Sequence, residues 1–196
     1  MVRSQNPNLE ILLLAVEQLG ELVDEMVFLG GCATGLLMTD PAASPIRVTK
    51  DVDAIVQVVS HADYYKFSDK LRSQGFKEDV SEGAPICRWI AENVILDVMP
   101  TDRRILGFGN KWYIPAMENA VVFQLSDTRQ IRLVSAPYFL ITKLEAFDDG
   151  RAVSVLQAVM KQPYAELSKE VEEKYYRLKP SKFFEIDGLS YYSCSS

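Results

Sequence analysis

Between Leu9 and Met26 apolar residues recur every three or four positions: Leu9, Leu12, Leu13, Val16, Leu19, Leu22, Val23 and Met26. Glu10, Glu17, Glu21, Asp24 and Glu25 fall mostly elsewhere. The spacing predicts one amphipathic helix over residues 8–26, with Asn8 as its N-cap. Val27 to Leu29 predicts a short strand running into the pair Gly30-Gly31, and Cys32 to Met38 a short helix. Thr39 to Pro45, with two prolines among small residues, reads as a loop. Asp51 to Val59 is the strongest strand signal, dominated by Val52, Ala54, Ile55, Val56, Val58 and Val59. Residues 61–74 follow as an amphipathic helix that starts at His61, turns Tyr65 and Leu71 inward and is closed by Gly75.

Phe76 to Val80 predicts a short strand. Ile86–Ala91 and Val94–Met99 flank Glu92-Asn93 as a hairpin that Pro100 ends. Trp112 to Ile114 reads as a brief extended piece. Ala120–Leu125 and Gln130–Val134 read as a second hairpin around Ser126 to Arg129. Pro137 suits the first turn of a helix that continues through Leu140, Ile141, Leu144 and Phe147. Residues 151–161 and 164–177 carry helical patterns, the second charged all round, and the tail from Ser181 has no pattern. The order predicts an α+β core with a mixed β-sheet over residues 1–135, a helical C-terminal subdomain over 136–180, and an unplaced tail over 181–196.

Composition narrows the function classes. The 196 residues are 48% hydrophobic and 24% charged, enough for a real core. A net charge of −6 argues against a general nucleic-acid binder, leaving room only for a local basic patch. Cys32, Cys87 and Cys194 are far apart and His61 is the only histidine, so no zinc cluster is expected and reduced thiols in a cytoplasmic protein fit best. The apolar stretch from Leu9 to Leu19 is interrupted by Glu10, Glu17 and Gln18, and reads as neither a leader nor a membrane span.

The chemistry concentrates in a few residues. Asp51 and Asp53 stand at i and i+2, which on a strand puts both carboxylates on one face. They repel unless a cation sits between them, and a divalent metal is one solution. A solvated strand end, or a bridge to Arg47 or Lys50, is the other. Gly30-Gly31, after a strand and before a helix, offers backbone N–H groups suited to phosphate. Asp97, inside the apolar run Val94 to Met99, calls for a partner or a task. Arg47 brings a permanent cation beside the carboxylates. Trp89 and Trp112 are candidates for stacking a base, with the core as the alternative.

In order and combination these residues resemble the nucleotidyltransferase superfamily, the fold shared with DNA polymerase beta. Its pattern of an apolar residue, two small residues, a spacer, Asp-x-Asp and a later third carboxylate corresponds here to Leu29-Gly30-Gly31, Asp51-Val52-Asp53 and Asp97. Gly-Gly-x-Ala with Arg-x-Thr-x-Asp-x-Asp resembles most the AbiEii-type bacterial group, which includes the toxin halves of toxin–antitoxin pairs. Lys143-Leu144-Glu145-Ala146 resembles a later motif of that group, whose lysine faces the nucleotide. The spacer between Gly31 and Asp51 is longer than the minimal pattern, and after Phe147 the usual basic and acidic run is absent. The resemblance implies a nucleotidyltransferase core on which Asp51, Asp53 and Asp97 hold two Mg²⁺ ions. Gly30, Gly31, Arg47 and Lys143 would bind the NTP, with Arg88 a weaker candidate. The acceptor would be a tRNA end, a protein hydroxyl or a small molecule, and Arg103, Arg104, Lys111, Arg129 and Arg132 could offer it a basic face. An antitoxin protein is a possible partner, and no membrane is involved. The alternative is a catalytically inactive nucleotide-binding or protein-interaction module on the same fold.

Overall fold

The structure is a computed structural model and describes residues 6–38 and 45–148. The expected helices at 151–161 and 164–177, the loop tip at 39–44 and the tail from 181 lie outside the described residues. The chain divides into two units, Met1–Thr142 and Lys143–Ser196.

Helix α1 (Leu9–Leu19) buries Leu12, Ala15, Val16 and Leu19, the stripe its spacing foretold. The single helix expected over 8–26 stops early. Gly20 takes φ +58°, which no helix continues, and a 3-10 turn (Gly20–Glu25) buries Leu22 and Val23 before the chain extends. Strand β1 (Met26–Leu29) is buried throughout, and helix α2 (Gly30–Leu37) starts on the glycine pair itself. Strand β2 (Asp51–Val56) is three residues shorter than its apolar run. Helix α3 (His61–Ser73) is capped by Ser60, whose hydroxyl accepts from the Asp63 N–H. It turns Phe67, Ser68 and Leu71 inward, while Tyr65, expected inside, is 65% exposed. Tyr65 lies two residues from Phe67, off the stripe that Phe67 and Leu71 define.

Strands β3 (Lys77–Glu78), β4 (Arg88–Ala91) and β5 (Val94–Pro100) follow. The β4–β5 hairpin turns on Glu92-Asn93 as expected, with Glu92 at φ +45°. Two short helices, α4 (Arg103–Leu106) and α5 (Tyr113–Glu118), come next. The extended piece expected at Trp112–Ile114 is the start of α5. Tyr113, Ala116 and Met117 form a buried i, i+3, i+4 set that overrides the β propensity of the aromatic run. Strands β6 (Val121–Ser126) and β7 (Arg129–Leu133) make the second hairpin, and helix α6 (Ala136–Asp148) ends the described chain.

Among the described residues the fold is thus α+β, with six α-helices and one seven-stranded mixed sheet of order β3-β4-β5-β2-β1-β7-β6. β2–β5 and β1–β7 pair in parallel, the other neighbours antiparallel. Residues in register share a face. One face presents Met26, Phe28, Val52, Ala54, Val56, Trp89, Leu96, Val98, Ile131 and Leu133 to the α1 stripe and to Phe67 and Leu71, forming the main core. The opposite face carries Val27, Ile55 and Met99, all buried, and further along the same strands Leu29, Asp51, Asp53 and Asp97. That second face is where an apolar sheet gives way to acid. No described helix is long and apolar enough to cross a membrane.

Candidate functional site

The site begins where β1 hands over to α2. Leu29 is extended, Gly30 swings to φ +77°, and α2 starts with N–H groups that have no intrahelical partner. Leu29 pairs with Asp53 on β2. A Cβ at Gly30 would overlap Asp53 Oδ2 and lie 2.5 Å from its Cγ, so the carboxylate rests in the space a side chain would fill. Gly31 is less confined, its absent Cβ falling 3.1 Å from the Thr49 side chain. Gly30 alone is required both by close approach and by backbone angle.

Asp53 is in register with Asp97 on the parallel strand β5, which sets their backbones one strand spacing apart, about 4.8 Å. Asp51, two residues before Asp53, faces the same way, and its Oδ1 accepts a short hydrogen bond from the Thr49 hydroxyl. The sheet thus brings the three predicted carboxylates to one face of two neighbouring strands, beside the glycine turn. Asp97 is the most enclosed, at 8% exposure. Its presence in an apolar strand has a direct physical answer in Arg88.

Arg88 is in register with Asp97 across the β4–β5 hairpin. Its Nε donates to Asp97 Oδ1 at 2.8 Å and its Nη2 to Asp97 Oδ2 at 2.8 Å, a bidentate fork. The same Nη2 reaches Asp51 Oδ2 at 3.1 Å. The Asp97 hydrogen bond is the chief cause holding the guanidinium above its already high ordinary pKa, against partial burial. The sequence ranked Arg88 below Arg47 as a cation for the triphosphate; the contacts to the acids themselves are made by Arg88. Arg47 is exposed and makes no ion pair with the three acids among the described residues, and neither does Lys50. A signal for Arg88 was present: a two-residue turn at Glu92-Asn93 pairs Ala91 with Val94, and counting outward pairs residue 88 with 97.

Asn8 holds the N-cap position of α1 as expected, its backbone O accepting from Leu12 N at 3.2 Å, but its side chain makes no cap hydrogen bond. Fully buried, it donates Nδ2–H to Gly31 O at 3.3 Å and Arg47 O at 3.0 Å, and its Oδ1 accepts from Thr49 N at 3.0 Å. One amide therefore ties the glycine turn to the segment that leads into Asp51. Cys32 completes the floor, its thiol donating to Asp51 O at 3.2 Å. Burial, then Asp53 and Asp51, push this thiol up to about 12, so it is inert as a nucleophile at neutral pH. Trp89 and Trp112 are both buried and belong to the core, not to a base-stacking surface. Lys143 lies on α6 as the first residue of the second unit.

The cluster joins three carboxylates to the Arg88 guanidinium. Hard oxygen donors fit Mg²⁺ or Mn²⁺ in kind. In arrangement, Arg88 now occupies Asp97 and one oxygen of Asp51. Among the described residues no group of three or more His, Cys, Asp or Glu side chains is set to hold a metal ion.

No protein-family profile matches the chain, and no curated protein matches it either. Among solved structures it is similar to an antigenic nucleotidyltransferase-like protein from Paracoccidioides brasiliensis. The two share 16% identity over 91% of each chain, with a TM-score of 0.46. So distant a likeness carries no argument about chemistry, and the functional reading stands on the residues above.

Proposed function

We propose that this chain is a cytoplasmic, divalent-metal-dependent nucleotidyltransferase of the AbiEii type, moving NMP from an NTP to a hydroxyl acceptor and releasing pyrophosphate. The observation that carries the reading is the Asp53 carboxylate seated against Gly30 and in register with Asp97. It unites the glycine turn, the Asp-x-Asp pair and the third acid in one place. Asp51, Asp53 and Asp97 would hold two Mg²⁺ ions. When bound, the metals would supply charge neutralisation at the entering and leaving oxygens of an in-line displacement. The N–H groups at the start of α2, at Gly30 and Gly31, would bind the β- and γ-phosphates. Arg47 and Lys143 would supply cations to the triphosphate. Asp97 would complete the second metal's shell and take the hydroxyl proton of the acceptor, which is a tRNA end, a protein hydroxyl or a small molecule. A toxin role, with an antitoxin protein as partner, belongs to the same reading.

The Arg88 fork favours a second reading, an inactive nucleotide-binding or protein-interaction module whose acids are partly satisfied by arginine. One experiment separates the two. Each of the four NTPs, α-labelled, is incubated with Mg²⁺, the full chain, and tRNA, protein or small-molecule acceptors. The enzyme reading expects labelled product that Asp53→Ala abolishes. Mg²⁺-dependent NTP binding without product establishes the inactive module. Absence of Mg²⁺-dependent binding for all four bases would falsify both.

A further inference from the structure

The two edges of the sheet are built differently, and the difference points to an interface. We propose that β6 is a docking edge for a second copy of this chain. Two β6 strands pair antiparallel about a two-fold axis, with Val122 opposite Val122 of the second copy and Val121 opposite its Phe123.

The sheet order leaves β3 and β6 with one strand neighbour each among the described residues. β3 is a guarded edge: two residues long, both charged, with Glu78 ion-paired to Arg72. β6 runs from Val121 to Ser126 without a charge. Val121 is 44% exposed and Val122 69%. An edge strand also presents backbone N–H and C=O groups with no ladder partner, so apolar side chains and hydrogen-bonding backbone stand open together. The bulge that blunts such an edge is confined to the hairpin end, between Gln124 and Ser126. There the Gln124 amide donates to Ser126 O and Arg129 O, which closes that end on itself. The regular part, Val121 to Gln124, stays available.

The strand is complementary to itself. Residues opposite each other in an antiparallel pair share a face, so setting Val122 on its own copy continues both faces of the sheet. Val121 and Phe123 lie on the main-core side, in register with Leu133 and Ile131, and meet Phe123 and Val121 of the second copy. β-Branched and aromatic neighbours make favourable cross-strand pairs. No like charges are opposed, because residues 121–126 carry none. At each end of the joint, the hairpin end of one copy, with Arg129, comes toward Glu118 of the other, which precedes β6. Both are exposed, so opposite charges approach there. The symmetric pairing closes after two chains.

Sedimentation of the full chain across micromolar concentrations tests the joint, with wild type, Val122→Lys and Val80→Lys. Val80, just beyond β3, is 93% exposed and controls for the loss of exposed apolar surface. The expected result is a concentration-dependent dimer for wild type and Val80→Lys. Val122→Lys sets two ammonium groups opposite each other at the axis, and its dissociation constant should rise by about tenfold or more. Opposite Cα atoms in an antiparallel pair lie about 4.5–5.5 Å apart, within disulfide reach. In a Cys194→Ser background, Val122→Cys should therefore form a covalent dimer under mild oxidation about tenfold faster than Val80→Cys, although Val80 is the more exposed. A wild-type chain that stays monomeric, a Val122→Lys dimer as tight as wild type, or equal loss in both lysine variants overturns the proposal. If Val122→Lys fails to fold by circular dichroism, the two cysteine variants decide: preferential crosslinking through position 122 supports the joint, and equal rates overturn it.

Discussion

Replacing Gly30 by alanine tests the geometry that the whole functional reading rests on. Two costs are expected, and the molecule contains a control that separates them. The first is conformational. Gly30 has φ +77°, and an alanine there pays about 1–2 kcal/mol for a left-handed backbone. The second is steric. The new methyl falls 2.5 Å from Asp53 Cγ and 2.7 Å from its Cβ. Carbon atoms prefer about 3.5–4.0 Å, so Asp53 must yield by about 1 Å, at an overpacking cost of about 1–3 kcal/mol. Gly83 has nearly the same angle, φ +79°, yet a Cβ there meets nothing within 4 Å. Gly83→Ala therefore carries only the first cost. Urea denaturation of the metal-free chain should show Gly30→Ala destabilised by about 2–5 kcal/mol and Gly83→Ala by about 1–2 kcal/mol. The backbone of Asp53 is pinned between β1 and β5, so rotating its side chain relieves the carboxylate contacts but not the 2.7 Å contact with its Cβ. Rotation lowers the stability cost but takes the carboxylate out of place. Mn²⁺ affinity should accordingly fall by about tenfold or more in Gly30→Ala and stay unchanged in Gly83→Ala. In the Asp53→Ala background the extra cost of Gly30→Ala should shrink, since the two most intrusive contacts are gone. Equal destabilisation of the two glycine variants, with Mn²⁺ binding intact in both, refutes the cradle.

Three further outcomes follow from particular contacts. Asn8→Ala strands Gly31 O, Arg47 O and Thr49 N at a buried position, and should cost about 2–4 kcal/mol in chemical denaturation. A loss below about 0.5 kcal/mol would show that the amide bridge is not formed in solution. Thr49→Val removes the hydroxyl that orients Asp51. Mn²⁺ affinity measured by titration should drop roughly tenfold with little change in melting temperature, and an unaltered affinity counts against the role. Cys87 is pushed from 9.0 up to about 12, first by burial and then by the Asp97 carboxylate. Its folded value lies above its unfolded one, so stability is whole below pH 9 and is lost as pH climbs toward 12. Cys87→Ala should lessen the fall of the urea midpoint across that window, and an unchanged slope would refute the assignment.

The sequence made most of the sheet legible because its strands carry the signals that packing needs. Asp51 to Val56 is apolar except for its two acids, and the β4–β5 hairpin announces itself through a polar pair between two apolar runs. The three carboxylates and the glycine pair were found for the same reason: each breaks an apolar pattern at a position where a break is expensive. Two errors came from letting periodicity run past a glycine or an aromatic. The stripe from Leu9 to Met26 continues in the sequence, but Gly20 leaves the helix, so Leu22 and Val23 are buried from a 3-10 turn instead. Trp112-Tyr113-Ile114 looks like a strand until Ala116 and Met117 are counted with it. The role of the Asn8 side chain was illegible for a deeper reason. Its partners lie 23, 39 and 41 residues away, and no local pattern states that the glycine turn and the approach to Asp51 meet beside it.

The arrangement of charge bears on the proposed reading as directly as the motif does. Here one arginine serves Asp51 and Asp97, and Asp53 stands in register beside them with its carboxylate pressed against Gly30. Nearby cations exist in the sequence, but Arg47 and Lys50 point no ion pair at the three acids among the described residues. The Thr49 hydroxyl and Cys32 thiol stabilise Asp51 and its backbone without adding positive charge. Like charges held on one face repel, and the strain falls as any cation enters. A glycine turn kept free of side chains at that spot gives the cation's counter-charge, a phosphate, access to backbone N–H groups. The proposed enzyme reading gives the cleared space a purpose, and a purely structural reading accounts for the Arg88 fork.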